Sequence, residues 1–425
     1  MRQTNPESNS PYPKASARFG RRDFLTLSGL AALGLLAGQG RARPVIDERR
    51  RASREPSGNS DVISLFLCGD VMTGRGIDQV LPHPGDPLLC ESYITSALGY
   101  VELAERVNGR IPKPVDFPYI WGEALVEFER RRPDARIINL ETSVTKSGDC
   151  FPKGINYRMN PENVRCLTAA KIDCCALANN HVLDWGDCGL AETLETLKKA
   201  NVKTAGAGRD LERAAAPAII EVAGKGRVVV FSMATETSGV PSDWAASEDK
   251  PGVNMLADLS HRTAASIAKV VRRVKRPGDI VVASIHWGGN WGYRIPRRQT
   301  RFARRLIDKS GIDVVHGHSS HHPKAIEIHN GKPILYGCGD FLNDYEGIGG
   351  YEEFRDDLAL MYFPSIAPSS GKLVGFTMTP LRIKNFRLNR ATEEDCRWLR
   401  DVLNRESREF GTRVELQEDN TLVIR

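Results

Sequence analysis

Five apolar runs of strand length each stop at residues able to hold a metal ion, and this pattern constrains the fold more than any other feature of the chain. Ile63–Cys68 leads into Gly69-Asp70-Val71-Met72, and Arg136–Leu140 into Glu141. Ile172–Ala178 is followed by Asn179-Asn180-His181-Val182-Leu183-Asp184, and Ile280–Ile285 by His286-Trp287-Gly288. Ile312–Val315 is followed by His316-Gly317-His318-Ser319-Ser320-His321-His322, which holds four of the nine histidines. Runs of this kind read as buried strands. In α/β sheets the carboxyl ends of neighbouring strands line one crevice, so residues far apart in sequence converge there. Asp70, Glu141, Asn180, His181, His286, His318 and His321 are therefore expected in one site.

Further strand-like runs at 218–222 and 228–233 alternate with helical patterns at 119–131, 189–200, 258–275 and 297–310. This alternation predicts an α/β layered fold. Residues 324–336 read as a hairpin turning at His329-Asn330-Gly331-Lys332, so a mixed sheet is expected. The segments 82–118 and 234–256 are rich in Pro and Gly and read as long loops. A terminal helix is expected at 391–410 and a last strand at 413–424.

Taken singly, several of these residues have plain structural readings. Asp70 could cap a turn, and Asn179-Asn180 could take left-handed loop geometry. His286 with Trp287 just past an apolar strand, and the histidine cluster at 316–322, fit a polar turn poorly; the coincidence of all five strand ends favours a site. Imidazole, carboxylate and amide donors suit Mn²⁺, Fe²⁺, Zn²⁺ or Mg²⁺, in one or two ions that would clamp a phosphate-like group and activate water. The nine cysteines form no C-x-x-C pair, which gives no support to a closed cysteine–zinc site. Cys90, Cys150 and Cys188 lie in loop-like contexts where a bridge could form, and the odd number leaves at least one thiol without a partner in the chain.

The formal charge of +6 is concentrated at the front: residues 1–60 carry eleven Lys/Arg and five acids, leaving 48 of each in 61–425. The balance argues for no polyanionic partner by global charge, and no nucleic acid is expected. Arg21-Arg22-Asp23-Phe24-Leu25 precedes an apolar run to Ala37 that is too short for an ordinary membrane span, and the segment resembles a twin-arginine signal. The expected layout is a signal segment at 1–42, a basic linker at 43–60, one large domain at 61–385 and a C-terminal helix-and-strand extension at 386–425. Export by the twin-arginine machinery to the periplasm or cell envelope follows.

The motifs Gly69-Asp70-Val71-Met72-Thr73-Gly74-Arg75, Asn139-Leu140-Glu141, Ala178-Asn179-Asn180-His181-Val182-Leu183-Asp184-Trp185-Gly186, His286-Trp287-Gly288 and Gly317-His318-Ser319-Ser320-His321 occur in the order of the CapA family of capsule, or poly-γ-glutamate, synthesis proteins. The chain resembles that family over about residues 62–345. The run Gly331–Phe341 resembles its closing motif, with Asp340 where many members carry Asn. The family is similar to calcineurin-like metallophosphoesterases, which implies a four-layer αββα sandwich of two mixed sheets and a dinuclear site. On that resemblance Glu141 bridges two ions; Asn180, His286 and His318 hold one, and Asp70 with His321 the other. Met72 stands where the phosphoesterases use a histidine, which makes the Asp70 subsite poorer in ligands. His181, oriented by Asp184, would protonate the leaving oxygen. Arg75 is expected to bind an anionic group, because a guanidinium offers paired donors, and Asp340 to reach the site rim.

Two functions follow as expectations. One is an exported metal-dependent hydrolase acting on a phosphoester or polymer intermediate of capsule synthesis, alongside capsule-synthesis membrane partners. The other is a non-catalytic envelope factor that binds or exports an anionic polymer.

Overall fold

The computed structural model describes residues 62–425, and the expected signal segment and basic linker lie outside the described residues. Two sheets are built from β1 (Ile63–Val71), β2 (Ala135–Leu140), β3 (Cys174–Ala176), β4 (Lys203–Ala205), β5 (Ala218–Val222), β6 (Gly226–Ala234), β7 (Ile280–His286), β8 (Val314–His318), β9 (Ile326–His329), β10 (Lys332–Leu335), β11 (Asp340–Leu342), β12 (Leu358–Ala367), β13 (Lys372–Ile383), β14 (Leu388–Arg390), β15 (Val414–Leu416) and β16 (Leu422–Ile424). The ten-stranded sheet runs β15-β16-β13-β12-β1-β2-β3-β4, with β11 also paired to β1 and β14 to β13; the six-stranded sheet runs β9-β10-β8-β7-β6-β5. Both are mixed: β1 is parallel to β2 and antiparallel to β12, and β8 is parallel to β10, which is antiparallel to β9.

The period-two alternation of side chains turns these sheets into four layers. Leu65 and Leu67 of β1 face Val228, Val230, Ile280 and Val282 in a core between the sheets. Phe66 and Cys68 point the other way, into a core shared with α2 (Glu123–Arg131) and α3 (Gly186–Lys199). There Phe66 meets Phe128 edge-on with ring centroids 4.7 Å apart. On the far side Val229, Phe231, Val281 and Ala283 pack beneath α4 (His261–Val274) and α5 (Arg297–Lys309). Each fully buried aliphatic side chain contributes about 1.5–3 kcal/mol, so β1, apolar on both faces, holds two layers at once. The result is the αββα sandwich expected from the resemblance.

One close approach sets the site. A Cβ at Gly69 would stand 1.6 Å from the Gly339 carbonyl oxygen, the same oxygen that accepts from the Asp70 amide at 3.0 Å. Only glycine lets β11 lie against β1 and brings Asp70 level with Asp340.

Several elements differ from expectation. The strand predicted at 413–424 is a hairpin of β15 and β16. Residues 386–425, expected as an extension, add β14, β15 and β16 to the larger sheet, and α6 (Glu393–Ser407) buries Leu399 and Leu403 in the inter-sheet core. The longest strand pair, β12 with β13, lies where no strand is expected, because Pro364 and Pro380 interrupt the pattern. Helix α1 (Leu98–Asn108) lies within the segment read as loop. Cys90 and Cys150 form a disulfide, and Cys188 is free and exposed. No helix among the described residues is long and apolar enough to cross a membrane.

Candidate metal centre

The register delivers the site. Asp70 aligns with Asn139 of β2 and Asp340 of β11, while His286, the last residue of β7, aligns with His318, the last of β8. Carboxylates from the end of one sheet thus meet imidazoles from the end of the other. Two donor groups result, Asp70–His286–His318 and Asp70–His321–Asp340, each with ligand atoms within 4.8 Å of one another and all five residues buried.

In the first group His286 Nδ1 and His318 Nδ1 are 2.8 Å apart, and His318 Nδ1 is 4.0 Å from Asp70 Oδ1. His286 Nε2 lies 2.9 Å from Asn180 Oδ1 and 3.9 Å from Glu141 Oε1. A buried chain of hydrogen bonds assigns the tautomers. His316 Nε2 donates to the Cys68 carbonyl at 2.6 Å, so its Nδ1 accepts from Ser284 at 3.1 Å, and Ser284 Oγ in turn accepts from His318 Nε2 at 2.8 Å. His318 Nδ1 therefore turns a lone pair towards His286. With Asn180 Oδ1 turned towards it, whichever nitrogen of His286 carries its proton leaves one acceptor facing another at under 3 Å, either His318 Nδ1 or Asn180 Oδ1. A divalent cation among these donors removes that conflict, and the donor set fits one.

In the second group His321 Nδ1 is 2.8 Å from Asp340 Oδ1, and Asp340 Oδ2 accepts from Asn343 at 2.7 Å. Asp340, expected at the rim for substrate, is instead a buried member of the donor set. The carboxylate common to both groups is Asp70. Glu141 stands beside it, and Asn139 Nδ2 donates to Asp70 Oδ1 at 2.8 Å and Glu141 Oε2 at 3.2 Å. Asn139 is held by Asn179, and the Ser319 amide donates to Asp70 Oδ2. Met72 contributes no ligand; its sulfur accepts from the Tyr345 hydroxyl.

Crowding of carboxylates away from water shows in their protonation. Burial, then Asp340, pushes the Asp70 carboxyl up to about 7, and burial, then Asp70, raises Glu141 well above the usual range. Burial drives His286 and His318 well below theirs, so both present neutral rings. His321 goes the other way: burial opposes its charge, but Asp340, Asp70 and Asp356 together outweigh it and raise its pKa.

His181 sits alongside, with Nδ1 2.6 Å from Asp184 Oδ2 and Nε2 3.7 Å from Glu141 Oε1. Burial takes it down to about 4 in spite of Asp184, so Nε2 faces the carboxylates as an acceptor. Asp184 is itself fixed by the Tyr157 amide at 2.6 Å and by Lys153 Nζ at 2.7 Å, and Lys153 also approaches His181 Nδ1 at 3.1 Å. Arg75, expected to bind a substrate anion, is buried and engaged within the protein. It pairs with both Asp344 oxygens, with Glu91 and with the Tyr100 hydroxyl, and its guanidinium stacks 3.8 Å over the Tyr100 ring.

Asn139, Ser284, His316 and Lys153 were not singled out from sequence. Asn139 and Ser284 lie two residues before Glu141 and His286, a spacing that points both to one face of a strand, and His316 is inside the histidine cluster. Lys153, just beyond the disulfide-bonded Cys150, carried no signal.

Residues 64–345 match the family described as bacterial capsule synthesis protein PGA_cap. A probable polyglutamine synthesis accessory protein of Mycobacterium tuberculosis is 52% identical, over 87% of this chain and 97% of its own. The PGA biosynthesis protein CapA of Bacillus subtilis is 28% identical, over 72% of this chain and 68% of its own. A solved Mycoplasma pneumoniae phosphatase, 10% identical, covers 79% of this chain and 96% of its own with a TM-score of 0.42. With its motifs, the span of the family match and a relative sharing half its residues, the chain belongs to the bacterial capsule synthesis, or CapA, protein family.

Proposed function

We propose that the chain is an accessory protein of capsule or polyglutamate synthesis whose buried centre binds one or two divalent ions and hydrolyses a phosphoester or polymer intermediate. The observation that carries this reading is the pair of donor groups sharing Asp70 with His181 beside them. A divalent ion held there would polarise a phosphoryl or carbonyl oxygen and lower the pKa of water. The chain's own residues supply the rest. Asp184 holds the Nδ1 proton of His181 and leaves Nε2 free to take a proton and return it to a leaving oxygen. Lys153 locks Asp184 in that orientation. Export by the twin-arginine route to the periplasm or envelope, and capsule-synthesis membrane partners, belong to the same proposal on the strength of Arg21-Arg22 and the following apolar run.

A non-catalytic factor that binds or exports an anionic polymer is the second reading. It is favoured by Met72, which leaves the second group with three donors. Purified protein, assayed for metal by mass spectrometry and for turnover of phosphomonoesters, phosphodiesters and poly-γ-glutamate beside His181→Ala and Glu141→Ala, separates the two. Retained metal with turnover lost in both variants supports the hydrolase. Absence of metal, or turnover unchanged in both variants, rejects it.

A further inference from the structure

The neutral charge of 61–425 conceals a sharp segregation. Residues 261–309, which contain α4, β7 and α5, carry thirteen Lys/Arg against two acids, Asp279 and Asp308. Both acids are already engaged, Asp279 with Arg227 and Asp308 with His329 and Asn330. The two helices bury Ala264, Ala268, Val271, Phe302, Ala303 and Leu306 against the smaller sheet, so their cations face outward. Between them runs a groove of about 510 Å³, floored by Ala264, Ala265 and Ala268 and edged by Lys269, Arg272, Arg301, Arg304, Arg305 and Lys309. Arg304 is paired with Glu327, and the other five edge cations have no ion pair among the described residues.

A plain solvated helix face mixes its signs, because like charges three or four residues apart destabilise a helix by a few tenths of a kcal/mol each. Here Lys269 with Arg272, and Arg301 with Arg304 and Arg305, repeat that unfavourable spacing. Concentrating unpaired cations along a groove raises the local concentration of a polyanion.

We propose that the groove between α4 and α5 binds a linear polycarboxylate, of which polyglutamate is the type, on the outer helical layer rather than at the metal centre. This rests on the reading of the chain as a polyglutamate-synthesis accessory, which supplies the polymer. The chemistry of the groove favours that occupant. Its lining has no Phe, Tyr or Trp and His261 is its one ring, whereas grooves for single-stranded nucleic acid stack successive bases on aromatic side chains. Membrane-surface helices present Trp, Phe or Leu, and the only large apolar side chain exposed on α4 or α5 is Val270. Arginine forks match carboxylates in pairs, and helices of 14 and 13 residues offer an edge about 20 Å long, enough for several monomers.

The test measures binding of fluorescently labelled poly-γ-glutamate to the full chain by anisotropy, with the variant Arg272→Glu/Arg301→Glu/Arg305→Glu and with Lys198→Glu/Lys199→Glu/Lys203→Glu, which reverses as many exposed charges outside the groove. The expected result is binding that weakens with salt, a loss of at least tenfold in the groove variant together with a shallower salt dependence, and a loss of less than threefold in the lysine variant; equal losses in the two overturn the proposal. Metal content and melting temperature of the groove variant check its fold. Should it fail to fold, Lys269→Gln/Lys309→Gln takes its place, with a loss of at least threefold expected. Equal affinity in wild type and groove variants overturns the proposal, as does wild-type protein that captures anionic phospholipid vesicles but no polymer. If turnover at the metal centre is absent while groove-dependent binding holds, the hydrolase reading falls and the groove stands. The reverse outcome removes the groove alone.

Discussion

The two donor groups share Asp70 and differ in everything else. The first draws its imidazoles from the ends of adjacent parallel strands, and both rings are neutral because burial disfavours their charge. The second draws His321 and Asp340 from segments just beyond β8 and at the start of β11, and they already form an ion pair at 2.8 Å. A cation would enter the first group without displacing a proton from either ring, but would have to compete with the proton on His321 in the second. One centre thus offers two sites of unequal readiness, and the inequality comes from which charges each ring faces.

The harshest test of this comparison is Asp70→Asn, which removes the carboxylate common to both groups. Metal content is expected to fall close to zero and turnover by at least about 10³-fold; one ion retained at full occupancy would show that the groups do not depend on a shared ligand. Next, His318→Ala is expected to cost more metal and more activity than His321→Ala, which keeps one ion and loses about 10–100-fold in turnover. Equal losses would break the ranking.

A pH series sharpens it. Because Asp340 raises the His321 pKa, the second ion must displace a proton, and its apparent affinity should rise with pH by about tenfold per unit until His321 is neutral, whereas the first ion shows no dependence from its own two rings. The metal-free fold follows the opposite direction. The charged His321–Asp340 pair stabilises it fully below the unfolded histidine pKa and is lost as pH rises through the higher folded value. Asp70, up to about 7 in the fold, prefers its proton there and disfavours folding once ionised. The share of stability that the His321–Asp340 pair supplies is therefore expected to shrink between pH 6 and pH 8, read as a smaller melting-temperature gap between metal-free wild type and His321→Ala at pH 8, while Mn²⁺ or Zn²⁺ raises the wild-type melting temperature more at pH 8. The smallest effect is expected from Lys153→Met, which touches neither group. It should leave metal content unchanged and move the His181 titration upward from about 4, by removing a cation that lowers it. An unmoved His181 titration, followed by NMR, would deny Lys153 that influence.

Much of the centre was legible because strand-end chemistry is local. His286 follows an apolar run directly, and Asp70, Asn180, His318 and His321 lie in the short polar segments that follow such runs, while the two-residue period of a strand decides which strand side chains point into the crevice. The roles were less legible. Whether Asp70 or Glu141 is shared depends on how closely β11 approaches β1, which Gly69 permits. Arg75 looked free to meet an anion, because nothing nearby in the sequence announces Asp344, 269 residues away. A comparable separation hid the meeting of Asp340 with Asp70, although its other partners, His321 and Asn343, lie near it in the chain.

By itself the sequence determined the layered α/β architecture, the family and the residues gathered at the strand ends, since hydrophobic periodicity and motif order are written in neighbouring positions. Only the tertiary structure decided which carboxylate is shared, which histidines are neutral, that Arg75 is buried in ion pairs, and that a formally neutral domain carries an unpaired basic groove. Those depend on distances between segments remote in the chain and on the removal of water from between them, and total charge and local pattern contain neither.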